Sequence, residues 1–203
     1  MAKHLLSTLA LTLLSGSIST AAHAFDNPFL ALFEGRSVAA PASAYDARLA
    51  GDYASSTRVL VADPTRQRPG TITVDTQNRY LYLSLAGGQA IRYGVGVGRQ
   101  GFTWRGHTHI GRKEAWPGWT PPSAMLRRRP DLPRHMSGGQ DNPLGARAMY
   151  LYSGARDTMF RIHGSNEPWT IGHAVSSGCI RMLNGDVTDL YSRVRVGTSV
   201  VVL

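Results

Sequence analysis

A chain of 203 residues carrying 22 Lys+Arg against 13 Asp+Glu is basic, with a formal net charge of +9 and a single cysteine. The length holds one compact domain and a short lead-in, and one cysteine excludes a disulfide framework. The charge suits an anionic partner.

Met1 to His4 is a short basic start, Leu5 to Leu14 is apolar apart from Ser7, Thr8 and Thr12, and Ala22-His23-Ala24 fits an A-x-A cleavage site. This order predicts a cleaved signal peptide over residues 1–24. The apolar run is too short for a bilayer, which needs about 20 residues, so no stable membrane span is expected after cleavage. An exported basic protein is expected to meet wall polymer or envelope lipid, and no nucleic acid. Arg127-Arg128-Arg129 is the densest basic run, although a solvated loop accounts for it equally well.

Residues 25–68 are rich in Ala, Ser, Asp and Arg and show no sustained strand or helix period, so they are expected to be a linker. From Pro69 the texture changes. Thr71 to Asp75 alternates, Gln77-Asn78 marks a turn, and Tyr80 to Leu85 is rich in strand formers. Ala90 to Val97, Ala148 to Tyr152, Thr158 to His163 and Ser199 to Leu203 read as further strands. Val187, Leu190, Tyr191 and Val194 share one helical face, with Asn184 or Asp186 as a cap. Between them, residues 104–145 form a long tract rich in proline that holds Trp104, Trp116 and Trp119. It reads as a functional loop with little regular structure. The expected fold is mostly β with one or two helices.

Two motifs lead nowhere. Gly96 to Gly101 matches G-x-G-x-x-G after a strand, but Phe102-Thr103-Trp104-Arg105-Gly106 follows with no helical period to receive a pyrophosphate. His107 and His109 have the spacing of a metal pair without a clear third ligand. No metal and no cofactor are expected.

The chemistry concentrates in Phe160 to Met182, FRIHGSNEPWTIGHAVSSGCIRM. His163 closes a predicted strand, and Cys179 follows 16 residues later. A lone exported thiol is a buried packing residue, an intermolecular bridge or a nucleophile. An imidazole nearby favours the thiolate, so Cys179 is expected to be ionised near neutral pH. Gly178 lets backbone N–H groups approach an oxyanion, and Arg181 offers a charge to the thiolate or to a carboxylate.

His163-Gly164-Ser165-Asn166 followed by Ser176-Ser177-Gly178-Cys179-Ile180-Arg181 resembles the signature of the L,D-transpeptidase catalytic domain family, also called YkuD-like. Glu167 to Gly172 between them is similar to the family's exported Gram-negative members. The resemblance extends upstream through Asn142 to Gly145, Trp116 to Trp119 and a strand over Thr108 to Gly111, and reaches about Pro69. It implies a β-sandwich or barrel catalytic domain over residues 69–203 with a long active-site loop, working in the periplasm. It also implies that Cys179 is the nucleophile and His163 the general base, oriented by a backbone carbonyl just after it. Gly178, Arg181, Ser177, Gly164 and Trp169 would then serve the oxyanion or the substrate, with the Trp116–Trp119 region as a further contact. Many members carry a histidine where this chain has Ser177, so that histidine's role does not transfer, and His173 stands at a different spacing. The implied reaction takes D-alanine from a peptidoglycan stem tetrapeptide and joins the diaminopimelate carbonyl to an amine, on another stem or on an envelope protein. A hydrolase of the same fold and a non-catalytic wall-binding module are the alternatives.

Overall fold

The computed structural model describes residues 56–203. The expected signal peptide and most of the linker lie outside the described residues. The chain forms β1 (Val59–Ala62), β2 (Ile72–Asp75), β3 (Tyr80–Ser84), β4 (Gln89–Gly94), β5 (Val97–Gly98) and β6 (Gly106–Ala115). Then come α1 (Ser123–Arg128), β7 (Arg147–Ser153), β8 (Arg156–His163), β9 (Ala174–Ser176), β10 (Ile180–Arg181), α2 (Asn184–Arg193) and β11 (Ser199–Val202). Among the described residues the architecture is mostly β with two α-helices, as the sequence predicts.

Nine strands make one mixed sheet in the order β1-β4-β3-β2-β11-β6-β7-β8-β10, and β5 pairs with β9. The pairs β2–β11 and β8–β10 are parallel and the rest of the large sheet is antiparallel. The sheet curls back on itself. Gly96, just past β4, exchanges both backbone hydrogen bonds with Arg181 of β10, at 2.9 and 2.8 Å. The two flanks of the sheet thereby meet at the end where Cys179 sits.

Burial follows the pleat. Leu81 and Leu83 of β3, Met149 and Leu151 of β7, and Ile162 of β8 point inward, where Val187 and Leu190 of α2 join them. Successive strand residues face opposite sides, so one face supplies the core and the other is free for the site. Lys113 of β6 crosses to α2 and donates to the carbonyls of Tyr191 and Val194, at 2.7 and 2.5 Å. It satisfies carbonyls that the end of a helix leaves open.

Three expectations need correction. The 104–145 tract is not one irregular loop, because residues 106–115 form the ten-residue strand β6 and residues 123–128 form α1. Residues 59–62, inside the expected linker, are strand β1 at the sheet edge. Neither Asn184 nor Asp186 caps α2; its N-cap is Leu183, without a side-chain cap bond. Asp186 instead receives the Ser56 hydroxyl and the Thr57 amide and hydroxyl, at 2.5, 2.9 and 2.7 Å.

Candidate active site

β8 ends at His163 and its parallel neighbour β10 places Arg181 opposite it, with Ile180 opposite Ile162. Ile162 and Ile180 face the core, so alternation puts Arg161, His163, Cys179 and Arg181 on the other face. Cys179 is half-buried and immediately precedes β10. The backbone N–H of Arg161 points to its thiol.

His163 is buried. Its Nδ1 lies 2.5 Å from the carbonyl of Gly164. A carbonyl only accepts, so Nδ1 carries the hydrogen and, in the neutral ring, Nε2 is left as the basic nitrogen. Burial, aided by the charge of Arg181, pulls the imidazole down to about 3 against the stabilising bond to Gly164. Burial also pushes the Cys179 thiol up, and outweighs the Arg161 amide and the charges of Arg161 and Arg181 that act the other way. Both shifts favour the uncharged forms, thiol and imidazole. Desolvation of the charged forms works against the thiolate expected near neutral pH.

Arg181 is buried as well, and the carboxylate it holds is the protein's own. Its guanidinium meets Glu167 at 2.7 Å and the Thr170 hydroxyl at 3.3 Å. Burial holds the Glu167 carboxyl above the usual range even against Arg181. The pair ties the loop after His163 to the strand after Cys179.

Asn184 makes a second tie. It is buried, accepts from the Ala146 amide at 2.9 Å and donates to the Ser165 carbonyl at 2.8 Å. A Cβ on Gly164 would stand 2.2 Å from its Oδ1, so only glycine fits beside His163. Asn142 gathers the loop on the other side through the carbonyls of Pro117 and Ser137, at 2.9 and 3.0 Å.

Around the thiol, Gly178 is buried at φ +110 and its Cα lies against the Phe160 ring. Ser177 is exposed at the rim. Trp169 is half-buried, with its indole Nε1 buried and unbonded among the described residues. His173 is exposed, and its backbone carbonyl receives the Val97 amide. Trp116 is exposed at φ +48, while Trp119 pairs with Met136. His107 and His109 lie on β6, away from Cys179's strand neighbours. A separate cavity of about 450 Å³, lined by residues that include Arg79, Tyr80, Arg92 and Gly172, contains neither Cys179 nor His163. Glu167, Asn184, Ser176 and Trp104 were not among the predicted site residues. Of these, only Asn184 stood outside the stretches that the sequence points to for function.

A family model described as the L,D-transpeptidase catalytic domain (YkuD) matches residues 69–202. The chain belongs to this family. It is 37% identical over 134 residues to a putative L,D-transpeptidase from the ATP synthase subunits region of Fuscovulum blasticum, covering 65% of this chain and 68% of that one. It is 32% identical over 145 residues to the probable L,D-transpeptidase YbiS of Escherichia coli K12, covering 68% of this chain and 45% of the relative. The transpeptidase domain thus spans about half the length of that relative.

Among solved structures, one from Brucella melitensis is 46% identical with a TM-score of 0.51, covering 76% of this chain and 99% of that one. It is described as a probable carnitine operon oxidoreductase. The dinucleotide fingerprint such a description brings to mind is not formed here. Gly96 to Gly101 lead through β5 into a turn and then β6, with no helix to face a pyrophosphate, and the Phe102 carbonyl fills the space beside Gly98. The avibactam carbamoyl enzyme of Ldtfm shares the fold, at 20% identity and a TM-score of 0.51 over 68% of this chain and 49% of that one.

Proposed function

We propose that residues 69–203 are the catalytic domain of a periplasmic peptidoglycan L,D-transpeptidase, exported by residues 1–24, with Cys179 as nucleophile and His163 as general base. One observation carries the reading. The chain's single cysteine shares one face of the adjacent strands β8 and β10 with a buried histidine whose Nδ1 is held by the Gly164 carbonyl, which leaves Nε2 free to take a proton.

From a neutral pair, the thiol gives its proton to His163 Nε2 as the sulfur attacks the diaminopimelate carbonyl of a stem tetrapeptide. The carbonyl oxygen becomes an oxyanion. Its collapse breaks the bond to D-alanine, whose amine leaves with the proton from His163. The product is a thioester on Cys179. An amine from a second stem, or from an envelope protein, then attacks the thioester; the nitrogen gives up a proton to His163 as it bonds to the carbonyl carbon, the C–S bond breaks, and His163 returns that proton to the departing sulfur as the thiol. Burial keeps the imidazolium short-lived, because the ring surrenders the proton readily. No cofactor enters any step. Gly178, Ser177, Gly164 and Trp169 would then serve the oxyanion or the substrate, while Arg181 holds Glu167.

Muropeptide analysis with purified tetrapeptide stems tests the assignment. Cys179→Ser and His163→Ala are each expected to lower cross-linked product at least a hundredfold with melting temperatures close to wild type. Near wild-type turnover by Cys179→Ser would remove the nucleophile, and release of D-alanine without any cross-link would make water the acceptor.

A further inference from the structure

Three hydrogen bonds fix the peptide groups on either side of the Cys179 amide. The Ser176 hydroxyl accepts from the Gly178 N–H at 3.1 Å and donates to the Cys179 carbonyl at 2.6 Å. The Trp104 indole N–H donates to the Gly178 carbonyl at 3.0 Å. The Gly178 N–H, one of the two amides the sequence offers to an oxyanion, is thus occupied by Ser176.

The carbonyl of Gly178 and the N–H of Cys179 belong to one peptide plane. In a trans peptide they point in opposite directions, and no peptide bond among the described residues is cis. A donor pinned to the carbonyl therefore sets where the N–H aims. Gly178, at φ +110, has little conformational restraint of its own, so the aim has to come from outside. Trp104 is itself well held: its ring stacks on Phe160 at 4.6 Å between centroids and 8° between planes. Phe160 in turn packs on Gly178, where a Cβ would come within 2.4 Å of the ring.

We infer that Trp104 is a positioning residue for acyl transfer: its indole N–H, bonded to the Gly178 carbonyl, aims the Cys179 amide at the oxyanion that forms when Cys179 attacks a carbonyl. The inference rests on the acyl-transfer reading above. It concerns a tract, Gly101 to Arg105, that lies 74 residues before Gly178 and outside the Cys–His signature. A preorganised donor of this kind is worth about 10²–10³ in rate when removed. A donor still present but misaimed forfeits part of that, roughly tenfold to a hundredfold.

Two reagents separate this role from simple packing. Acylation by a β-lactam breaks the lactam C–N bond and forms a thioester through an oxyanion, with the thiol proton passing to His163 and on to the lactam nitrogen. Alkylation by iodoacetamide displaces iodide at a saturated carbon and forms no oxyanion. Trp104→Phe keeps a stacking ring and loses the donor. It is expected to acylate ten- to a hundredfold more slowly by intact-protein mass spectrometry, with an unchanged alkylation rate and pH profile of alkylation. Replacing Trp104 by benzothienylalanine, in which sulfur stands for the N–H in a ring of the same shape, is expected to do the same without disturbing the fold. If wild type is acylated and both variants match it, the positioning role is wrong. It is also wrong if alkylation slows in step with acylation, since Trp104 would then only support the thiol. A wild-type protein that alkylates but takes no β-lactam overturns the acyl-transfer reading, and this inference with it.

Discussion

At neutral pH His163 holds no proton, although the same ring in an unfolded chain takes one up near 6.5. Below that value the unfolded state binds a proton that the folded state refuses, so stability falls as pH drops from about 6.5 toward 3. Above it the contribution is complete. The melting temperature of wild type is therefore expected to drop more steeply between pH 6.5 and 4 than that of His163→Gln, which cannot charge. Equal slopes would mean that the ring is not desolvated. Cys179 has the opposite sign, because its thiol is raised from 9.0. Its alkylation rate by iodoacetamide is expected to keep climbing beyond pH 9 in place of the plateau near neutrality that a preformed thiolate would give. A plateau below pH 8 would restore the ion pair that the sequence reading expected.

Among the elements, the loop between β8 and β9 depends on the buried pair of Glu167 and Arg181. Breaking such a pair from one side leaves a buried charge without its partner and costs about 3–5 kcal/mol, whereas exchanging both members for apolar residues is far milder. Glu167→Leu is expected to lower stability by that order in denaturant titration. The double variant Glu167→Leu with Arg181→Met should recover most of it, and a double variant as unstable as the single one would count against the brace. Because the pair joins the loop after His163 to β10, the double variant is also expected to lose turnover beyond what its stability explains. The opposite tie, Asn184 between Ala146 and Ser165, secures the same loop from α2.

Over the whole molecule, β1 and the Ser56–Thr57 contacts with Asp186 carry the fold upstream of the family match at Pro69. A chain beginning at Pro69 would expose the edge of β4 and strand Asp186, which is buried. It is expected to melt well below a chain beginning at Ser56, by differential scanning calorimetry, and equal melting would make β1 dispensable. The sequence made much of this legible. Alternation in Thr71 to Asp75 and the strand formers of Tyr80 to Leu85 announced β2 and β3, and the periodic apolar face of α2 announced that helix. β1 stayed hidden because, at the sheet edge, Val59 and Leu60 remain exposed and show no inward–outward alternation. Of β6 only Thr108 to Gly111 showed, through the family resemblance; the rest was masked by Gly106 and by the charges of Arg112 to Glu114 within a tract dominated by turn residues. At the site, spacing pointed to Cys179 and His163. It could not reveal that the charge of Arg181 belongs to Glu167, or that Asn184, with the local signature of a cap, reaches instead across to Ser165. Those roles are set by contacts 14 and 19 residues apart that exist only in the folded chain.

A thiol kept protonated and half-buried until a carbonyl arrives is a poor target for peroxide. Sulfenic acid forms from the thiolate, and with no second cysteine in the chain there is no internal partner to trap that acid as a disulfide before it goes on to the irreversible sulfinic state. Desolvation around Cys179 thus protects the thiol against oxidants, at the expense of a sulfur that ionises less readily.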